Sequence, residues 1–391
     1  MLITNVKAVT PTEILSDATI YIEDSLIDRV APGPPEDNHP EPVLDGGGAW
    51  ALPGFIDTHC HGAAGADTTD RIPEALKKIT EYHLRHGTTS MLLTAFAQKG
   101  PFLLDDIRAM VEFIRHHNER NQWLGIHIEG PFLNPNKPGM FDRDGLLAPN
   151  RRLLMDLIRA ADKEARLMTI APELKGALEF VSVLVEHDIR ASLGHTEADL
   201  DVVHKAVRRG LSHVTHLYNA MPAIHHRNPG TAVAAILESS LFLELIVDGI
   251  HVHPEMVKFT VQAAGAGRIV LVTDAQRGTG MPDGRYRLGR QGEVEVKDGA
   301  IRGDNGALAG STLTMAAALR NLMRFTSCSM VEGAWMASTN AAQNLGIDDH
   351  KGRLTAGYDA DIVLMDEQLR VTHVICMGRV VNPSESALVQ S

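Results

Sequence analysis

Eight short apolar runs that alternate with amphipathic stretches, and short alternating strands at both chain ends, predict an α/β fold. Its main body is a closed (β/α)8 TIM-type barrel, and its second part is a small β-sandwich domain built from both ends of the chain. The runs are LPGFIDTHCH (52–61), SMLLTAF (90–96), WLGIHIE (123–129), LMTIAP (167–172), RASLGH (190–195), HVTHL (213–217), LELIVD (243–248) and IVLVTD (269–274). Between them lie helix patterns such as PEALKKITEYHLRH (73–86), PFLLDDIRAMVEFIRHH (101–117) and EADLDVVHKAVRRG (197–210). Near-continuous apolar strands separated by helices imply a parallel sheet covered on both faces. Eight such units suit a closed barrel better than an open doubly wound sheet. The open sheet is further disfavoured because no G-x-G-x-x-G follows the first run.

The termini read differently. ITNVKAVTP, ATIYIED and LIDRVAP alternate apolar and polar residues before PGPPEDNHPEP breaks the pattern, and GRLTAGYDADIVLMD and RVTHVICMGRVV near the other end are equally short and β-rich. Neither piece carries enough apolar surface to fold alone. The division expected is a β-domain from 1–51 with 353–391 and a barrel over 52–352, interrupted by a β-hairpin near 281–306.

Composition narrows the function. Hydrophobic residues form 44% of the chain and charged residues 22%, which excludes wholesale disorder. A net charge of −12 gives no broad attraction for phosphate backbones or anionic membranes, so neither nucleic acid nor a membrane is expected as a partner. No apolar run approaches the roughly 18 residues of a membrane span. Three cysteines cannot form a paired framework, and MLITNVKAVTP has no basic and apolar leader pattern, so a reduced, cytoplasmic protein is expected. The 19 histidines direct attention to metal chemistry.

His59 and His61 end the first run, Glu129 the third, His195 the fifth, His216 the sixth and Asp274 the eighth. On a barrel, the C-terminal ends of the strands carry the chemistry. A single H-x-H, or a single histidine on an apolar strand, is an ordinary core feature, whereas six residues of ligand type converging on one face predict a divalent metal site. Imidazole and carboxylate suit Zn²⁺ first, and also Fe²⁺, Co²⁺ or Mn²⁺. Cys60 lies between the two histidines and should point to the opposite face of the strand. Metal-assisted hydrolysis is the chemistry expected, with Asp274 placed to move a proton from water to a leaving group.

PGFIDTHCHG, together with GYDADIVLMD near the C-terminus, resembles the amidohydrolase superfamily. HIEGPFL, SLGHTEAD, THLYNAMPAIHHRNPG, DGIHVHPEM, VTDAQRGTGMPDGRY and ALAGSTLTM, in that order, resemble its N-acetylglucosamine-6-phosphate deacetylase family. The resemblance implies hydrolysis of the acetamide of an N-acetyl amino-sugar 6-phosphate. It implies a metal held by Glu129, His195 and His216, with Asp274 as general base and then acid. It implies that His251 bonds the acetamide carbonyl, that Asn219 and Ala220 present polar groups to the substrate, and that Leu308 walls the sugar pocket. It further implies a homodimer in which Arg227 reaches the phosphate in the neighbouring active site. Because His59 and His61 are kept, a second metal bridged by Glu129 stays open. The chain departs from the family after EGPFL: where many relatives end an R-G-A-H-like stretch in histidine, it reads KPGMF, which puts Met140 and Phe141 in the pocket loop and leaves the gluco or galacto identity of the sugar open. The alternatives are an N-acetylgalactosamine-6-phosphate deacetylase, a D-aminoacylase-like or cyclic-amide hydrolase, and a catalytically dead scaffold.

Overall fold

The computed structural model describes residues 1–35, 42–98, 101–118, 122–287 and 292–381. The expected barrel is present. Its strands are Phe55–Asp57, Thr88–Phe96, Trp123–Glu129, Ala165–Ile170, Arg190–Leu193, His213–Val214, Phe242–Ile246 and Ile269–Val272, each paired in parallel with the next in chain order. The first and last strands are joined by a narrower seam. The Asp274 N–H donates to the His59 carbonyl at 2.8 Å, the His61 N–H donates to the Ala275 carbonyl at 2.9 Å, and the Thr273 hydroxyl donates to Asp57 Oδ2 at 2.6 Å. Ring closure therefore runs through the residues flanking the expected metal ligands, so the seam and the site share their backbone.

The strands are shorter than the apolar runs. The first run is split: its Leu52 and Pro53 belong to the long strand Val43–Pro53 of the terminal sheet. The fifth and sixth strands stop at Leu193 and Val214, so His195 and His216 lie just beyond them, in loops. Helices Pro73–Arg85, Phe102–His117 and Leu200–Val207 cover the barrel from the outside, burying Leu76, Ile79, Ile107, Met110 and Val203 against the strands.

Strands from both chain ends form one seven-stranded sheet. Its order is Arg379–Val381, Val371–Cys376, Ile362–Met365, Val43–Pro53, Leu2–Val9, Ile14–Glu23 and Leu26–Pro32. This continuous sheet curls so that the loop leading into Ile362–Met365 reaches its Leu26–Pro32 edge: the Ile27 N–H donates to the Tyr358 carbonyl at 2.8 Å and the Ala360 N–H to the Ser25 carbonyl at 2.7 Å. Ile3, Ile20, Ile22, Ile27, Ile362 and Ile375 fill the interior of the curl. Residues 382–391 of the expected terminal domain, and 36–41 of the pattern break, lie outside the described residues.

Where a hairpin near 281–306 is expected, the chain forms a four-stranded antiparallel sheet, Gly284–Arg287, Glu293–Lys297, Ala300–Gly303 and Leu308–Ser311. Residues 288–291 lie outside the described residues. Val294, Val296, Ile301 and Ala309 give it a core of its own. The fourth strand, which the apolar pattern does not reveal, docks on the barrel rim: the Ser311 N–H donates to the Asp274 carbonyl at 2.8 Å. That bond brings residues 307–310 over the barrel mouth.

Candidate metal centre and active site

Glu129 is the last residue of the third strand, and its two carboxylate oxygens face two different groups of histidines. Oε1 lies 3.2 Å from His195 Nε2 and 3.2 Å from His216 Nε2, and those two nitrogens are 3.1 Å apart. Oε2 lies 3.4 Å from His59 Nε2 and 3.3 Å from His61 Nε2, which are themselves 3.1 Å apart. Asp274 Oδ1 completes the second group, 3.3 Å from His61 Nε2 and 3.7 Å from His59 Nε2. All six side chains are buried.

This spacing fits a metal ion. Ligand bonds of about 2.0–2.1 Å at tetrahedral angles put neighbouring donor atoms about 3.3–3.4 Å apart. Imidazole nitrogens that approach each other at 3.1 Å can share at most one proton, and Glu129 Oε2 is buried with no hydrogen-bond partner. The electrostatics agree. Burial opposes charge on His59 and His61, yet the surrounding carboxylates overcome it. Glu129, Glu244 and Asp274 raise His59 well above its ordinary value, and the neighbouring carboxylates of Asp274 and Glu129 raise His61 to about 9. Burial likewise works against the Asp274 charge, but His59 and His61 hold its carboxyl below its usual value. The carboxylates of the site thus favour positive charge among the donor atoms.

The backbone does local work to bring these groups inward. His195, His216 and Asp274 adopt φ of 47°, 30° and 46°, values sparsely populated by residues other than glycine. Each turns its side chain over the barrel mouth immediately after its strand ends. The loop after the third strand then clamps His195. The Lys137 carbonyl accepts from His195 Nδ1 at 2.8 Å, and the Phe141 ring centroid is 4.9 Å from that of His195. Gly139 in this loop has φ +56°, and a Cβ there would meet His195 Cε1 at 3.0 Å, so only glycine lets the loop close.

Glu129, His61, His195, His216, Asp274, His251, Asn219, Ala220, Leu308, Met140 and Phe141 all face one cavity of about 250 Å³. His59 sits beneath it, fully buried. Arg227 does not reach it. Arg227 lies on an exposed loop, where its guanidinium contacts His226 Nε2 at 2.9 Å. Cys60 points away from the cluster, with Sγ 3.3 Å from His83 Nε2.

Several residues at the site escape the sequence reading. Glu244 lies inside the seventh strand and accepts from Thr58 Oγ1, His213 Nε2 and His59 Nδ1, each at 3.0 Å, and from the His216 N–H at 3.1 Å. It thus orients one histidine from each group, the supporting role that carboxylates play behind metal-binding imidazoles. Its signal is visible in hindsight as a carboxylate inside the apolar run LELIVD. His127, in the equally apolar WLGIHIE, is buried beside His59, and burial pushes it down to about 3. Asp248 accepts from His251 Nδ1 at 2.6 Å and from the His251 N–H at 2.7 Å, fixing the ring at the cavity edge. Phe96 and Gln276 also line the wall.

Residues 50–381 match the model of the Amidohydrolase family. The N-acetylglucosamine-6-phosphate deacetylase of Lysinibacillus sphaericus is 36% identical over 97% of each chain. The N-acetylgalactosamine-6-phosphate deacetylase of Escherichia coli O157:H7 is 34% identical over 93% of this chain and 95% of its own. Among solved structures, a point mutant of the Mycobacterium smegmatis N-acetyl-D-glucosamine-6-phosphate deacetylase, in complex with N-acetyl-D-glucosamine-6-phosphate, superposes with a TM-score of 0.91 at 32% identity, covering 97% of this chain and 98% of that one. The Thermotoga maritima N-acetylglucosamine-6-phosphate deacetylase gives 0.86 at 33%, covering 98% and 100%. With this agreement over nearly the whole chain, the chain belongs to the amidohydrolase family of metal-dependent hydrolases, in its branch of N-acetylglucosamine-6-phosphate deacetylases.

Proposed function

We propose that the protein hydrolyses the acetamide of N-acetylglucosamine 6-phosphate to the amino-sugar phosphate and acetate. The observation that carries this reading is the presence, in one cavity, of a buried Glu129–His195–His216 donor set and an ionised Asp274. Glu129, His195 and His216 would hold the working metal, Zn²⁺ by preference of the donor set, with Fe²⁺, Co²⁺ or Mn²⁺ as substitutes. His59 and His61 with Glu129 Oε2 offer a second position. When bound, such an ion makes water a competent nucleophile near neutral pH and polarises a carbonyl. Asp274 takes a proton from the attacking water and delivers it to the acetamide nitrogen, so that the C–N bond breaks to a neutral amine and acetic acid, whose remaining proton is released as acetate forms. His251, braced by Asp248 at Nδ1, hydrogen-bonds the acetamide oxygen as charge collects on it.

Among the described residues that line the cavity there is no lysine or arginine, although the substrate carries a phosphate. Arg227 of a second copy supplies that cation in the homodimer we infer. An apolar groove beside the site, lined by Met221, Ile224, Met256 and Phe259, supports such an interface, with Ile224 43% and Phe259 45% exposed. Cys60, Cys328 and Cys376 form no disulfide with one another, in keeping with the reducing, cytoplasmic compartment we infer, and among the described residues no helix is long and apolar enough to cross a membrane.

A second reading, turnover of N-acetylgalactosamine 6-phosphate as well, is supported by Phe141, which stacks on Phe96 and cannot hydrogen-bond a sugar hydroxyl, so that discrimination between the gluco and galacto epimers is looser. Values of kcat/KM for both N-acetylhexosamine 6-phosphates and for unphosphorylated N-acetylglucosamine, in wild type and Arg227→Ala, test these points. The variant should lose roughly 10–150-fold on phosphorylated substrates only, as expected for hydrogen bonds to a charged group. Absence of a phosphate preference in wild type rejects the sugar-phosphate substrate.

A further inference from the structure

Gln276 has a buried side chain with nothing to hold. It follows Asp274 by two residues on the wall of the same cavity, is 8% exposed, and its Oε1 has no hydrogen-bond partner. The backbone of Gln276 is already secured, its N–H donating to the Ser311 carbonyl at 3.1 Å and lying 3.2 Å from Thr279 Oγ1. The side chain is therefore not needed to anchor the loop. It is packed instead against the inserted sheet. A Cβ at Gly310 would come within 2.4 Å of Gln276 Cγ and 3.0 Å of Nε2, so glycine at that position keeps room for the carboxamide. Buried amides are normally hydrogen-bonded, and those that are not are commonly completed by a ligand or water.

We propose that Gln276 is a specificity-determining residue whose carboxamide hydrogen-bonds a ring hydroxyl flanking the acetamide-bearing carbon of the amino sugar. This rests on the deacetylase reading above. A carboxamide both donates and accepts, which matches a hydroxyl better than an acetamide oxygen or a phosphate. With Asp274 serving the nitrogen on C2, a side chain two residues further along the same loop meets the neighbours of C2, the hydroxyls on C1 and C3. Leu308, Phe96 and Phe141, which line the same cavity, are apolar and cannot read a hydroxyl.

The test is a cycle of protein and substrate changes on the metal-loaded enzyme. Wild type, Gln276→Ala and the volume-conserving Gln276→Met are assayed with N-acetylglucosamine 6-phosphate and its 1-deoxy and 3-deoxy analogues, with metal content and thermal midpoint measured alongside. Each variant should lose roughly 10–100-fold in kcat/KM on the parent sugar. Wild type should lose a similar factor on one deoxy analogue, and the variants should lose little more on that analogue. Additive losses on both analogues overturn the contact, as does parent turnover within about twofold of wild type in both variants. If neither variant folds, wild type alone decides, because equal turnover of the parent and both deoxy sugars overturns it. No turnover of any N-acetylhexosamine 6-phosphate by wild type rejects the deacetylase reading and the inference with it, whereas turnover with additive losses rejects Gln276 alone.

Discussion

The protein buries charge in two places, and they are built on opposite plans. At the junction of barrel and terminal sheet, Lys351 is fully enclosed, with Nζ 2.7 Å from Asp361 Oδ2 and 2.9 Å from Asp359 Oδ2. Although burial works against the ammonium charge, the two carboxylates hold it above its ordinary value. Asp361 is further engaged, accepting from the Met377 N–H at 2.9 Å. This cluster brings its own cation. At the barrel mouth the described residues include no lysine or arginine within the cluster, the imidazole nitrogens of His195 and His216 face each other at 3.1 Å, and Glu129 Oε2 meets only the His59 and His61 nitrogens, at 3.4 and 3.3 Å. The first cluster is finished by the fold and joins two regions of the chain. The second gathers donor atoms at the spacing a metal ion would need, which is how a structural ion cluster and a functional one can be told apart.

Breaking the mouth cluster should have the largest effect. The paired substitution His195→Ala/His216→Ala should abolish turnover and remove the metal, read by elemental analysis; full metal occupancy in that protein would reject the ligand assignment. Asp274→Asn separates proton transfer from metal binding: kcat should fall by at least roughly 10²-fold while the metal stays. Near-normal turnover with metal bound would move the base elsewhere. Glu244→Gln should weaken metal binding by about 10–100-fold, since it orients His59 and the His216 backbone without touching substrate. Competition with a chelator measures this directly.

The other cluster should respond in the opposite way. Lys351→Met leaves two carboxylates buried without their cation and should cost about 3–5 kcal/mol of stability, read by denaturant unfolding. Its kcat per folded molecule should remain close to wild type, and a large fall would mean that the two clusters communicate. The smallest expected effect concerns pH. Burial pushes His83, beneath the site, down to about 4. Its neutral form is favoured in the folded protein, so its contribution is complete above the ordinary histidine value of about 6.5 and is lost as pH falls from there towards 4. Thermal midpoints of wild type and His83→Met should converge across that window. Parallel curves would assign the acid sensitivity to other groups.

Much of this site is legible from the chain because barrel strands have a strong pattern. An apolar run ending in histidine, glutamate or aspartate identifies His195, His216, Glu129 and Asp274 without any knowledge of distance. The carboxylate Glu244 and the ring of His127 sit inside such runs, where a polar residue reads as an interruption of the core; only the geometry shows them bracing His59. Asp248 and His251 are close in sequence, yet their hydrogen bond depends on the turn after the seventh strand.

What the sequence determined by itself was the repeating alternation of strands and helices, the joining of both chain ends in one small β-domain, and the identity of the metal-type residues. These follow from local periodicity and residue chemistry, which a linear reading preserves. The tertiary structure decided the rest. It split the first run between two sheets, ended the fifth and sixth strands before their histidines, and extended the expected hairpin into a fourth strand that walls the pocket. It also turned the two faces of Glu129 towards two sets of donors and left the Gln276 carbonyl oxygen unpaired beside Asp274. Ring closure causes these differences. The rim backbone must join strands far apart in sequence, and the hydrogen bonds that do so fix side-chain directions that no local pattern encodes.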